Sequence, residues 1–208
     1  MVSTRRLILL KIKRENPDGK KAKIMFYEMT VAGLKRQLPL CKVSNDLYIA
    51  AFIIFSDVEM TKAAAKELLA LAPEFDIMVT AEAKSIPLIY EMACQAGVND
   101  YVVARKGPKV YMDNLISTEV DSITTDHIQT LCIGQKEIDQ IKGKRVLILD
   151  DVISTGESIN SIELLVNKAG GNIVGKMAIL AEGEAAHRDD IICLGELPVF
   201  NADGTIKK

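Results

Sequence analysis

The hydrophobic positions of this chain change their spacing from segment to segment, and each change predicts an element. Val146–Leu149 is an unbroken apolar run, as suits a central parallel strand buried on both faces. Past Asp150 and Asp151 come Val152 and Ile153, then the small polar loop Ser154–Ser158. From there Ile159, Ile162, Leu165, Val166 and Ala169 follow the spacing of a helix that Gly170-Gly171 ends. The same order occurs one unit earlier. Asp76–Val79 reads as a strand, Thr80–Ser85 as a turn, and Pro87 and Gly97 frame a helix with Leu88, Met92 and Ala96 on one face. Asp57 caps an earlier helix running to about Leu71, which Pro73 stops. Tyr101–Ala104, Asn172–Ala181 and Ile191–Leu194 are further strands. Strand–helix–strand units repeated in this way predict an α/β fold with a parallel twisted sheet flanked by helices.

Two stretches fall outside that alternation. Arg6–Ile12 and Ala22–Thr30 flank the turn signal Asn16-Pro17-Asp18-Gly19 and read as a β-hairpin. Leu34–Asn45 then reads as irregular and apolar, with Pro39 forbidding a regular helix; it suits core packing or a flap over a flat ligand. Between Val110 and Ile133 the periodicity is poor. Ile116, Val120, Ile123 and Ile128 suggest strands around a polar, mobile excursion.

Composition narrows the function classes. The 208 residues are one domain of ordinary size, and the net charge of −2 argues against a dedicated nucleic-acid binder. No long basic run or helix-turn-helix pattern is visible. Cys41, Cys94, Cys132 and Cys193 are scattered among apolar neighbours without metal-ligand spacing, and read as buried reduced thiols. With no signal peptide and no apolar run long enough to span a bilayer, the expectation is a cytoplasmic protein without a membrane partner.

The candidate chemistry lies in Arg145–Ser158. Two carboxylates end a strand, and a loop of small residues opens the following helix, in the crevice where open α/β sheets bind ligands. The first turn of a helix offers unpaired N–H groups to an anion. Gly156 permits close approach, and Ser154, Thr155 and Ser158 add hydroxyls. Asp150 and Asp151 would repel that anion, so they call for hydroxyls, a cation or developing positive charge. A ribose 5-phosphate answers both demands.

This stretch resembles the phosphoribosyl pyrophosphate (PRPP) signature of the type I phosphoribosyltransferases. TAEAKS, VVARKG, KAGGNIVGKMAIL and ELPVF extend the likeness over roughly Leu38 to Phe200, most like the adenine and xanthine enzymes. The resemblance implies transfer of the phosphoribosyl group from PRPP to a purine base, with Mg²⁺ and release of pyrophosphate, by a homodimer. It assigns Asp150 and Asp151 to ribose and metal, directly or through hydroxyls or water. Ser154, Thr155, Gly156, Glu157 and Ser158 fall to the 5-phosphate; Glu82, Ala83, Lys84, Ser85, Arg105 and Lys106 fall to pyrophosphate. It divides the chain into a hairpin and hood segment (1–45), a core (46–200) with a flexible lid at about 107–130 that carries Glu119 as a catalytic candidate, and a frayed tail (201–208). Leu40 and Val43 of the hood are the candidates to sandwich the base.

Adenine is the expected acceptor. Enzymes for 6-oxopurines usually place Asp where this chain has Ser154, and a serine without an activating partner is a poor base. Xanthine and orotate remain alternatives, as does a PRPP-sensing transcriptional regulator without turnover. His127 and His187 read as solvent-exposed, with no triad around them.

Overall fold

A computed structural model describes residues 25–120 and 129–207. The predicted parallel sheet is present as five strands in the order β10-β9-β8-β4-β5. These are β4 (Ile77–Ala81), β5 (Val102–Ala104), β8 (Arg145–Ile153), β9 (Asn172–Glu182) and β10 (Ile192–Leu197). Every neighbouring pair runs parallel. Val146–Leu149 lies fully buried in the middle, which is why the sequence shows no alternation there.

The two faces are covered by different helices. On one side α1 (Val58–Leu71) and α2 (Ile86–Ala96) set Met60, Ala64, Leu68, Leu88 and Met92 against Met78, Leu147 and Leu149. On the other, α4 (Glu157–Lys168) buries Ile159, Ile162, Leu165 and Val166 against Ile77, Val79, Val146 and Ile148. The short α3 (Gln135–Ile141) and the antiparallel pair β6 (Ile116–Val120) and β7 (Gln129–Ile133) complete that layer. Asp57 is the N-cap of α1, accepting from Met60 N–H at 3.0 Å, as its position in the sequence predicts.

A second, antiparallel sheet has the order β1-β2-β3-β11, from β1 (Phe26–Val31), β2 (Leu34–Lys42), β3 (Tyr48–Ala50) and β11 (Val199–Phe200). It draws on both ends of the described chain. The hairpin expected around Asn16–Gly19 lies outside the described residues; the hairpin observed turns at Ala32-Gly33. The irregular reading of Leu34–Asn45 is corrected: residues 34–42 form a regular strand. Pro39 is tolerated because it faces Phe26, the first residue of β1, at the end of that ladder, while its carbonyl still accepts from Ala51 N–H at 2.9 Å. Arg36 of β2 clamps this sheet to α1 through Asp57, at 2.6 and 2.9 Å, and Glu59, at 2.8 Å.

Two further expectations change. Residues 201–207 are tied down rather than frayed, since Asn201 and Lys207 N–H donate to Thr205 and Val199 carbonyls, each at 2.8 Å, around a turn at Gly204. Of the cysteines, all free, only Cys132 is buried. Cys41 stands on the outer face of β2 and Cys94 on the outer side of α2, where apolar neighbours in sequence do not mean burial.

Candidate functional site

The chain crosses from β4 outward to β5, and from β8 the other way to β9 and β10. The carboxyl ends of β4 and β8 therefore flank the switch point of the sheet, where a crevice must open. The structure has a cleft of ≈ 340 Å³ there, lined by Ala81–Ser85, Lys106, Leu131, Asp150–Val152, Ser154, Thr155, Glu157 and Ser158. Most of the residues singled out in sequence are thus brought together from three separate segments.

The acid pair lies near the carboxyl end of β8, followed within the strand by Val152 and Ile153. Asp151 is 2 % exposed, and its Oδ2 lacks a hydrogen-bond partner among the described residues. Lys84 Nζ, on a side chain 57 % exposed, stands 3.6 Å from that oxygen, an ion pair beyond hydrogen-bond reach. Asp150 Oδ1 accepts from Ser85 Oγ at 2.6 Å and from Asp151 N–H at 2.9 Å. Enclosure by the protein, and then the charge of Asp151 beside it, hold the Asp150 carboxyl well above the ordinary carboxylate range. Asp151 is thus deeper than the place of two carboxylates near a strand's end suggests.

The loop after β8 has its hydroxyls outward. Ser154, Thr155 and Ser158 are exposed, and Gly156, at φ +82°, is the N-cap of α4. No side chain caps that helix. Among the described residues, Glu157 N–H donates only at the long distance of 3.5 Å, to Thr155 Oγ1, so the helix's partial positive charge faces the loop with little to satisfy it. Glu157 lies in the first turn and lines the cleft.

The loop after β4 approaches from the opposite wall, with a cis peptide between Glu82 and Ala83. Glu82 is not free for a ligand. Its carboxylate accepts from Lys106 N–H at 3.0 Å and from the Arg105 guanidinium at 3.2 Å through each oxygen, and these bonds hold it below the usual range. Arg105 also donates to Tyr111 Oη at 2.8 Å and pairs its backbone with Cys132. Arg105 thus shapes the wall, and of the two neighbours Lys106 lines the cleft.

The expected base contacts do not gather with the rest. Leu40, 8 % exposed, is a core residue of the small sheet, opposite Ala50, because strand alternation turns it inward. Val43 is 51 % exposed beyond the end of β2. Neither lines the cleft. Glu119 stands on β6 in register with Thr130, and the polar tip 121–128 with His127 lies outside the described residues. Sequence reasoning missed Glu182. It ends β9 beside the acid pair's strand, half-buried, with no hydrogen bond or ion pair among the described residues. Burial pushes its carboxyl up and Lys84 pulls it down, with burial winning. The signal was available: an acid at the carboxyl end of the strand next to the site.

Comparison with known proteins agrees with this fold. The family model for the phosphoribosyl transferase domain matches residues 58–202. Among curated relatives, the purine biosynthesis transcriptional repressor PurR of Bacillus subtilis is 32 % identical over 62 % of this chain and 45 % of its own length. A xanthine phosphoribosyltransferase of Lactococcus lactis is 30 % identical, covering 59 % of this chain and 53 % of its own. The chain therefore spans about half the length of these two. An adenine phosphoribosyltransferase of Rhodococcus jostii is 26 % identical, covering 70 % and 78 %. In three dimensions, adenine phosphoribosyltransferase from Thermoanaerobacter pseudethanolicus shares the fold with a TM-score of 0.58, at 23 % identity over 69 % of this chain and 84 % of that one.

Proposed function

The chain belongs to the phosphoribosyltransferase family, and from that premise we propose that its cleft transfers the phosphoribosyl group of PRPP to a purine base, adenine in preference. One observation carries the reading: an uncapped helix start, a buried acid pair and a lysine loop converge on one crevice. A phosphate at one end, a diol in the middle and pyrophosphate at the other end of a single ligand match those three demands in order.

In this reading the 5-phosphate sits on the N–H groups and hydroxyls of Ser154–Ser158. Asp150 and Asp151 face the ribose hydroxyls. As the C1–O bond to pyrophosphate breaks, positive charge grows on the ribosyl ring, and two fixed carboxylates favour it. Lys84 and Lys106 face the departing oxygens. The ring nitrogen of the base closes on C1 and gives up its proton; Glu119 on β6 is the candidate from the β6–β7 hairpin. Among the described residues no cluster of three or more His, Cys, Asp or Glu could hold a metal unaided. Asp151 Oδ2, which has no hydrogen bond among the described residues, and Asp150 beside it do fit Mg²⁺, which takes one or two carboxylates together with a substrate's phosphates. When bound, Mg²⁺ would supply neutralising charge to the leaving group. A cytoplasmic homodimer is the working form we propose.

The match to a transcriptional repressor favours a second reading, in which the same cleft senses PRPP without turnover. Pyrophosphate release from PRPP with adenine, xanthine, hypoxanthine, guanine and orotate separates the two. Turnover with a purine supports the enzyme; PRPP binding without release from any base supports the sensor.

A further inference from the structure

Ser85 ends the loop after β4 and is the N-cap of α2. A serine at that position ordinarily turns back to accept from an N–H of the first turn, which stabilises the helix. Ser85 forgoes it, and α2 has no side-chain cap. Its hydroxyl instead crosses to β8. It donates to Asp150 Oδ1 at 2.6 Å, with Asp151 Oδ1 at 3.2 Å, and accepts from Asp151 N–H at 2.8 Å.

A hydroxyl has one proton to give, and this one is committed to the acid pair. The residue is 2 % exposed, while its neighbour Lys84 reaches out of the same loop. Ser85 thus sits at the inner wall of the cleft with its hydroxyl turned to the acids rather than offered to pyrophosphate. Adjacent residues of a strand start their side chains on opposite faces, so Asp150 and Asp151 need a common anchor if both are to serve one ligand. Ser85 Oγ lies within 3.2 Å of an oxygen of each.

We propose that Ser85 is a positioning residue that ties the Lys84 loop to Asp150 and Asp151, so that the two walls of the cleft keep one geometry. The proposal rests on the phosphoribosyl-transfer reading for its kinetic consequence, but not for its structural one. A bridge of this kind acts on the reacting geometry, where small misplacements are expensive, more than on ground-state affinity.

The test uses Ser85→Ala, Asp150→Asn and the double variant, with adenine and PRPP as substrates. Ser85→Ala is expected to lower kcat about tenfold or more, with KM for PRPP changed less than about twofold. The double variant is expected to fall below Asp150→Asn by a smaller factor than Ser85→Ala costs the unaltered protein, because part of what Ser85 holds in place is that carboxylate. A crystal structure of Ser85→Ala should show the Asp150 carboxylate turned away from the loop. Multiplicative losses, a change confined to KM, or an Asp150 that keeps its place each overturn the proposal. If the unaltered protein releases no pyrophosphate with any base, the functional reading fails, and the Asp150 position still decides this one. Should Ser85→Ala not fold, Ser85→Cys keeps the volume with a weak donor and carries the same comparison.

Discussion

Arg188 lies against Gly156: its Nη1 sits 2.6 Å from the point where a Cβ on residue 156 would stand. Asp190 fixes the guanidinium from its other side, at 2.9 Å through Nε and 2.8 Å through Nη2. Asp190 also takes Lys176, which reaches Glu163 of α4, each at 2.8 Å. The loop before α4 thus lies against a four-residue ion network, and its glycine is required by φ +82°.

Gly156→Ala is therefore expected to destabilise by about 1–2 kcal/mol, the usual cost of a side chain in left-handed backbone. It should also weaken ribose 5-phosphate binding. The Arg188 tip is flexible and can yield, so most of the cost is backbone strain. Urea unfolding of Gly156→Ala, with and without Arg188→Ala, checks this. An equal loss in both backgrounds confirms strain, and no loss in either refutes the account.

The acid pair should respond unequally to substitution. Asparagine at 150 keeps an oxygen for Ser85 and for Asp151 N–H, so the fold should survive while turnover falls about 10²–10³-fold, the scale of losing one electrostatic contact to the transition state. Asp151→Asn buries an amide where Lys84 now finds its counter-charge, and should cost stability as well, about 1–3 kcal/mol. Thermal unfolding by circular dichroism beside a pyrophosphate-release assay separates the two effects. Near-normal rates in a folded Asp150→Asn would remove the acid pair from the mechanism.

Much of this site was legible because its chemistry is local. Asp150–Ser158 forms a strand end, a loop and a helix start within nine residues, and each piece announces itself by period or by glycine. What was not legible is held by distant partners. Nothing in the sequence near Ser85 shows that its hydroxyl meets residues 65 and 66 positions away, or that Glu82 is occupied by Arg105. The small sheet was misread for a related reason. β3 and β11 have only three and two residues, too few for a period, and β2 hides its alternation behind Pro39. α3 holds seven residues and shows only Ile138 and Ile141 as an apolar face. Leu40 looked like part of a flap only because its strand was not recognised.

At the opposite end of the sheet, acid should loosen the fold through Asp76. Its carboxyl accepts from Arg145 N–H at 2.8 Å and from the Arg145 guanidinium at 2.9 Å, tying the start of β4 to the start of β8. Those bonds lower its pKa from 3.8 to about 2. A depressed folded-state value means the contribution is present above the ordinary value and is lost as pH falls through about 2. Acid unfolding followed by circular dichroism should therefore begin at higher pH in the unaltered protein than its exposed carboxylates alone would give. Asp76→Asn should flatten the stability curve between pH 4 and 2. An unchanged slope there would show that the exposed pair is screened out.

The proposed preference for adenine can be tested at the end of β9. A site for a 6-oxopurine needs a donor for the ring's O6, and the strand after the main helix is one place for a lysine to supply it. Here Lys176 is spent on Glu163 and Asp190, at 2.8 Å each, and pairs with Ile148 well below the cleft. The strand ends instead on Glu182, half-buried and without a hydrogen bond among the described residues, followed by Gly183. A carboxylate accepts, so it suits an exocyclic amine better than a carbonyl oxygen. Adenine should accordingly be used with the highest kcat/KM and xanthine next, by tenfold or more, since a buried polar group left unpaired by the wrong base costs about 1–3 kcal/mol. Glu182→Gln, which adds a donor, should narrow that gap by lowering efficiency with adenine more than with xanthine. Comparing adenine, xanthine, hypoxanthine, guanine and orotate in both proteins is the measurement. Equal or better use of any 6-oxopurine by the unaltered chain would place the base-reading group elsewhere, and an unchanged ratio in Glu182→Gln would take Glu182 out of base recognition.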